Sequence, residues 1–531
     1  MKKVKLLDCT LRDGGFINDW EFGHDDIINI FERSVNAGTD IIEVGFLDQR
    51  RDFDRNRTIM PDTAAVNEIF KCLNHGKSMI VGMIDYGTCD VSHVCDRKDS
   101  ILDGIRVIFK KKNRYEALDY IRELKEKGYK MFVQPVSITG YSDEEMIDLV
   151  ERVNELEPYA MSMVDTYGLL HQGNLLHYFE IMDQHLKKGI SIGYHAHNNF
   201  QLGYSNSLAL MEKDTERTLV VDGSAFGMGK GAGNAPLELL AMYANEHFKG
   251  TYDINQILEM IDVNIMKIYL KSPWGYSVKY YLAASNDCHP NYVHHLMQKR
   301  TLSIKSVNEI LAMIEPKEKL AYNQEHIEQL YQEYQSRAIN DSDSIAKLQK
   351  ELSGKRILVL GPGKSMQRQK SEIQAYMAKY KPTVITINYE PQEFYTDYIF
   401  LSNSKRYVGL ADRLQKQEDR IKIIATSNVT KAGGNFDYTI DYSSLIDPDF
   451  EIMDSSLLMF LKLLQKLAIE EVALAGFDGY SSYEENYFNI AMEYAFVKDY
   501  ADKLNDYTKR ALKAMEGKIK IHFVTESRYN S

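Results

Sequence analysis

Short, almost continuously apolar runs recur along the first half of the chain, each followed by a stretch of helical periodicity. The runs cover residues 4–8, 40–46, 78–84, 104–109, 130–136, 159–164, 191–195 and 217–222. Near-continuous apolar strands are those of a parallel sheet covered on both faces. Amphipathic segments such as 25–37 and 143–156 lie between them, the second preceded by Ser142, whose hydroxyl suits a helix N-cap. Eight such units within 1–250 predict a TIM (β/α)8 barrel, with an open doubly wound sheet as the alternative. Residues 251–353 read as a helical extension and linker, interrupted by an aromatic loop at 272–281 and ending in a polar, Glu- and Lys-rich helical stretch. Residues 354–531 return to alternation, with strands expected at 356–360, 383–388, 398–401, 421–425 and 471–476, which predicts a Rossmann-like α/β domain.

Composition narrows the classes. Apolar residues at 44% and charged residues at 26% exclude disorder as the main state. The longest apolar stretch, 457–464, is broken by Lys462, so no membrane span is expected. Lys5 and Asp8 interrupt any signal-like apolar region, and five cysteines form no even disulfide framework, which together point to a reducing cytoplasm. A net charge of −12 argues against binding nucleic acid.

Three segments carry chemistry. Leu7-Asp-Cys-Thr-Leu-Arg-Asp-Gly-Gly15 follows the first strand and sets Arg12 beside Asp13 where a barrel keeps its functional groups. His195-Ala-His197 ends the seventh strand; alternation turns both imidazoles to one side, which suits a divalent metal completed by a carboxylate. Gly227, Gly229, Gly231 and Gly233 alternate in the loop after the eighth strand, followed by Asn234, a further ligand or a helix cap. Each segment alone has a plain structural reading: an ion pair, two polar strand residues, a flexible connection. In a closed barrel strand 8 neighbours strand 1, so the three would meet.

Together, L-D-C-T-L-R-D-G-G, H-A-H-N-N and G-M-G-K-G-A-G-N-A-P-L-E resemble the DRE-TIM metallolyase superfamily, with the glycine-rich segment most similar to the 4-hydroxy-2-oxovalerate aldolases. The resemblance covers about residues 1–300. It implies a divalent metal held by Asp13, His195 and His197, with Asn234 as an additional ligand. It also implies that Arg12 stabilises an enolate oxygen and that Glu43 steers Arg12 or a metal-bound water. The expected reaction is class II aldolase or lyase chemistry on a 2-keto acid and an aldehyde, through a pyruvate-type enolate. Manganese or magnesium is the expected ion, with cobalt or zinc also fitting the ligand types. Alternatives are a Claisen-type synthase joining an acyl-CoA to a 2-keto acid, and a non-catalytic barrel that presents the C-terminal domain. A homo-oligomer is expected.

The chain departs from the aldolase pattern at Phe16, where those enzymes carry their histidine base. His289 and Tyr276 are the chosen replacements, beside His24 and Tyr280. Four arginines in 48–57 could bind an anion or form a solvated loop, and Gln134 and Asp165 should point to the barrel mouth. In the C-terminal domain, Gly361, Gly363, Lys364 and Ser365 follow a strand as a phosphate loop would, without the full Walker spacing. Ala475-Gly-Phe-Asp-Gly479 faintly resembles a strand-end loop of Rossmann-like pyrophosphokinase and glycosyltransferase domains. A nucleotide or nucleotide-sugar is the expected ligand there, with an inert docking domain as the alternative.

Overall fold

The computed structural model describes residues 3–299, 302–415, 421–429, 436–447, 454–489, 492–494 and 496–530. The chain divides into two compact units, Met1–His294 with Ile314–Asn323, and His295–Met313 with Gln324–Ser531. The helical stretch after residue 250 is therefore shared between the units.

The first unit is a closed parallel barrel of β1 (Val4–Asp8), β2 (Ile41–Leu47), β3 (Met79–Asp85), β4 (Gly104–Phe109), β5 (Lys130–Pro135), β6 (Ala160–Asp165), β7 (Ser191–Ala196) and β8 (Leu219–Gly223). Successive strands pair in parallel, and β1 pairs with both ends of the series, Leu7 lying opposite Asp222 of β8 and Ile41 of β2. Every residue of β2, β6, β7 and β8 is buried, since one strand face meets the barrel interior and the other the helices. The helix Asp143–Leu156 starts at a capping box: Ser142 Oγ accepts the Glu145 N–H at 3.3 Å, and Glu145 accepts the Ser142 N–H at 2.9 Å. Its Met146, Leu149, Val150 and Val153 are buried at helical spacing against the barrel.

One local irregularity serves the site. The β2–β3 register slips between Glu43 and Phe46, and a two-residue strand, Ile59–Met60, pairs outside the end of β2. Gly45 takes φ +147°, and a Cβ there would stand 1.9 Å from the Thr58 carbonyl oxygen, so only glycine fits. Glu43, ahead of the slip, is fully buried in the barrel.

The second unit contains a seven-stranded parallel sheet: β9 (Ile357–Leu360), β10 (Thr383–Ile387), β11 (Tyr398–Leu401), β12 (Lys422–Thr426), β13 (Tyr438–Ile440), β14 (Glu471–Ala475) and β15 (Lys520–Phe523), in the order β13-β12-β11-β10-β9-β14-β15. The two strands not read from the sequence are the edges. β13 has three residues, and β15 alternates exposed with half-buried positions, so neither presents an apolar run. Among the described residues no helix is long and apolar enough to cross a membrane.

Candidate active site

Asp13, His195 and His197 gather at the carboxyl-terminal mouth of the barrel, all buried, with one ligand atom from each within 4.8 Å of the others. β1 ends in the tight turn Thr10–Asp13, which delivers the carboxylate; β7 delivers the two imidazoles from alternate positions. Each imidazole is fixed through Nδ1, His195 to the Asp222 carboxylate at 2.9 Å and His197 to the Asp165 carbonyl oxygen at 2.9 Å. The Nε2 atoms then face Asp13, at 3.8 Å for His195 and 3.4 Å for His197. Neither Nε2 has a hydrogen-bond partner, and neither does the buried Asn234 Oδ1. Asn234 stands opposite His197 in an isolated antiparallel bridge, and its N–H is held by the Gly227 carbonyl oxygen at 2.9 Å.

Orphaned buried acceptors are costly unless something fills the space between them. Two imidazole nitrogens, an amide oxygen and a carboxylate form a mixed nitrogen and oxygen set that fits a divalent cation, with the imidazoles oriented by hydrogen bonds as metal-ligating histidines usually are. Burial favours the neutral carboxyl at Asp13, but Arg12 and His197 outweigh it and hold the group well below the usual carboxylate range. Burial also lowers His195, keeping its imidazole neutral, as a ligand must be. The glycine-rich loop closes over this cluster: a Cβ on Gly229 would lie 2.3 Å from Asn234 Nδ2 and 2.6 Å from Asp13 Oδ2. Gly229→Ala is expected to weaken divalent-ion binding about 10- to 100-fold while leaving the circular dichroism spectrum unchanged; unaltered affinity by isothermal titration would show that the loop does not press on these groups.

A chain of buried charges links the two sides of the cluster. Arg12 pairs with Asp13, and its Nε donates to Glu43 at 2.7 Å. Glu43 also faces Arg106 Nη1 at 3.0 Å, and Arg106 pairs in turn with Asp222, the residue that holds His195. Asp13, Arg12, Glu43, Arg106, Asp222 and His195 thus form one sequence of contacts, all buried. Arg12 Nη2 is left without a partner, a donor available to a substrate oxygen. Arg106 was missed in the sequence, although it is the one charge inside the otherwise apolar run of β4. A buried arginine in a parallel strand needs carboxylates around it, and that was the available signal. Gln134 spans the barrel interior between Ser162 Oγ at 2.8 Å and Arg106 at 3.3 Å. The Asp165 carboxylate accepts the Leu169 and Leu170 N–H groups at 2.7 and 3.1 Å, so it caps its own loop.

At the rim, Phe16 packs edge-on against Trp20 and Phe46, with ring centroids 4.8 and 6.1 Å away. The half-buried Lys230 was not singled out in the sequence; its ammonium lies 5.2 Å from the Phe16 ring centre and 5.8 Å from that of Tyr167. Burial lowers its pKa. His289 packs against Tyr167 at 5.0 Å between ring centroids, and Tyr280 lies 3.7 Å from where a Gly231 Cβ would be. Tyr276 does not join them: it is 55% exposed, while its neighbour Trp274 bonds the Phe226 carbonyl oxygen at 2.9 Å. His24 is the first residue of the helix His24–Asn36. The arginines of 48–57 are spent on nearby carboxylates, Arg50 on Asp48 (2.6 Å), Arg55 on Glu68 (3.1 Å), and Arg51 (3.7 Å) and Arg57 (2.8 Å) both on Asp19.

Burial, with Lys230 and Lys110 nearby, pushes the His289 imidazole down to about 4. The unfolded chain takes up this proton near pH 6.5, so the stabilisation is complete above that pH and is lost as pH falls towards 4. The full displacement corresponds to about 3 kcal/mol, which solvent screening at the partly exposed ring reduces to roughly 1–2 kcal/mol. His289→Gln should flatten the fall in barrel stability between pH 6.5 and 4. Both tryptophans, Trp20 and Trp274, lie in the barrel unit, so urea unfolding followed by their fluorescence reads that unit alone. A slope identical to the parent's would remove His289 from this account.

The HMGL-like family model matches residues 3–263. A 4-hydroxy-2-oxovalerate aldolase of Shewanella halifaxensis is 26% identical over 272 residues, 49% of this chain and 76% of that protein. A 2-isopropylmalate synthase of Sulfolobus acidocaldarius is 26% identical over 251 residues, 45% of this chain and 62% of that protein. The HMG-CoA lyase structure from Bacillus subtilis aligns with a TM-score of 0.41 at 16% identity, covering 52% of this chain and 96% of that one. With the DRE-TIM motifs, the closed parallel barrel and the cluster of Asp13, His195 and His197 at its mouth, residues 3–263 are an HMGL-like domain of the DRE-TIM metallolyase superfamily.

Proposed function

We propose that the barrel unit is a divalent-metal-dependent carbon–carbon lyase of the aldolase type, acting on a 2-keto acid through a pyruvate-like enolate. The observation that carries this reading is the pair of unpartnered imidazole nitrogens, His195 Nε2 and His197 Nε2, facing the anionic Asp13, together with the unpartnered Oδ1 of Asn234, which bridges His197 through the backbone, and the unpartnered Arg12 Nη2. Asp13, His195, His197 and Asn234 would hold the ion, manganese or magnesium foremost. When bound, a divalent cation supplies Lewis acidity to the keto and carboxylate oxygens of the substrate.

The rest of the work falls to the chain. Arg12 is immobilised by Glu43 and Asp13, so its free Nη2 meets developing negative charge without reorganising. Glu43 and Arg106 are assigned as positioning residues, acting through the Arg12 and Asp222 they pair with. Lys230 presents a cation over the face of Phe16, the position where the aldolases carry histidine, and we assign it to the oxygen-bearing far end of the substrate. Lys230→Met is expected to raise KM about tenfold or more, with a smaller change in kcat. A variant with unchanged KM and lowered kcat would put Lys230 elsewhere.

Incubating the metal-loaded protein with pyruvate in deuterium oxide tests the enolate directly: exchange of the C3 protons, read by NMR, is the expected result. Absence of exchange with the ion demonstrably bound overturns the reading. The synthase relative supports a second reading, Claisen-type condensation of an acyl-CoA with a 2-keto acid. Release of free thiol from acetyl-CoA in the presence of a 2-keto acid would favour it.

A further inference from the structure

The second unit has a cleft of its own at the carboxyl ends of its strands. The strand order reverses between β9 and β14: β10 to β13 extend to one side of β9, and β14 and β15 lie on the other. Crossover connections diverge at such a point, and the crevice left between them is where open parallel sheets take ligands. The loops after β9 and β14 meet there, with the Gly361 N–H on Ala475 O at 2.8 Å and the Gly363 N–H on Gly476 O at 2.9 Å.

The glycine loop itself is already occupied. Asp478 accepts the Ser365 N–H at 2.8 Å and is also bonded by Ser365 Oγ, and a Cβ on Gly363 would strike its carboxylate at 2.6 Å. A phosphate set against Gly361, Gly363 and Ser365 would confront that carboxylate, so the expected anion site is displaced from this loop.

The open space lies alongside, in two lobes that share Asn388 and Arg406. One, of about 170 Å³, is lined by rings and amides, among them Tyr480, Tyr487, Tyr494 and Asn486, and by the carboxylates of Asp454 and Asp478. The other, of about 590 Å³, is lined by Lys405, Arg413, Gln367 and Tyr389, and also by Glu390 and by Glu393, which Lys370 neutralises at 3.0 Å. The two volumes together fall within the ~300–1,000 Å³ of small-molecule sites.

Two independent features of this cleft call for an anion. Lys405 and Arg406 both stand in the first turn of the helix Ser404–Gln415, where Asn403 Oδ1 accepts the Arg406 N–H at 3.2 Å. Cations in that turn oppose the helix dipole; Asp454, in the wall of the smaller lobe, offsets Lys405 in part, and an anion beside Arg406 relieves the rest. Separately, Tyr389, a residue of the charged lobe's lining, is 3% exposed, and its buried hydroxyl has no partner. Arg406 is braced at the junction of the lobes by the Met492 carbonyl oxygen and by the Tyr494 ring, 4.4 Å from its guanidinium carbon.

We propose that this cleft binds an organic phosphate. Its ring packs among the tyrosines and asparagines of the smaller lobe; its phosphate meets Arg406, Lys405 and the Tyr389 hydroxyl in the larger. The ring could belong to a nucleoside or a sugar, so the test uses adenosine 5′-monophosphate, glucose 1-phosphate and inorganic phosphate, titrated calorimetrically into the full chain. One of the two organic phosphates should bind with Kd of about 0.1 mM or tighter, and the better of them names the ring. Arg406→Met should weaken that binding about tenfold or more. Because Arg406 also braces the fold, Tyr389→Phe is the second variant: it removes a hydroxyl that has no protein partner, and should weaken binding several-fold at unchanged Tm. Failure of both organic phosphates at about 10 mM, equal affinity for inorganic phosphate, or indifference to both substitutions overturns the proposal.

Discussion

His197→Ala is expected to strip the protein of its divalent ion and to lower pyruvate C3 exchange by about a hundredfold or more, with the barrel still folded. The reason lies in what the imidazole does and does not touch. Its Nδ1 donates to the Asp165 carbonyl oxygen, and its Nε2 has no hydrogen-bond partner and faces Asp13 at 3.4 Å. Removing it leaves one carbonyl oxygen to water at the rim and takes away a ligand atom. His195→Ala differs in kind, because it also releases Asp222 from its 2.9 Å bond and so disturbs the buried charge chain. Elemental analysis of the dialysed variants, set beside their unfolding curves, separates these effects. If His197→Ala keeps its ion and its exchange activity, the assignment of the ligand set fails.

Arg106→Leu should carry the largest cost in stability, about 3–5 kcal/mol of the barrel unit. Leucine fills part of the volume but leaves the buried Asp222 without its cation and the buried Glu43 with Arg12 alone. Arg106→Lys should recover little, since one ammonium cannot reach two carboxylates as the guanidinium fork does. Ion affinity should fall as well: Asp222 fixes the His195 ring and Glu43 fixes Arg12, so loosening either spreads to the ligands. Urea unfolding by tryptophan fluorescence checks the first effect and calorimetric titration the second. A loss under about 1 kcal/mol would mean that water already screens these groups.

The architecture and the clustering of Asp13, His195 and His197 were legible in the sequence because both depend on local pattern. The eight apolar runs of the first half and the five of the second each became a parallel strand, since a strand covered on both faces must be apolar at nearly every position. His195 and His197 share a face by alternation alone, and the turn after β1 set Asp13 at a strand end. The edge strands β13 and β15 left no such trace, because an edge buries too little to demand an apolar run.

What the chain order could not express is pairing at a distance. That Arg106 of β4 sits between Glu43 of β2 and Asp222 of β8 follows from the closure of the barrel, which brings inward-facing residues of non-adjacent strands into one layer. The same holds for the neighbourhood of Phe16: tertiary packing brings Lys230 over the ring and leaves Tyr276 on the surface. In the second unit the glycine loop reads as an anion cradle from its own residues, and only the arrival of Asp478 from the loop after β14 shows its donors engaged. Periodicity and end-of-strand position are properties of a segment and are written in it; a hydrogen-bonding partner more than a hundred residues away is chosen by the folded chain.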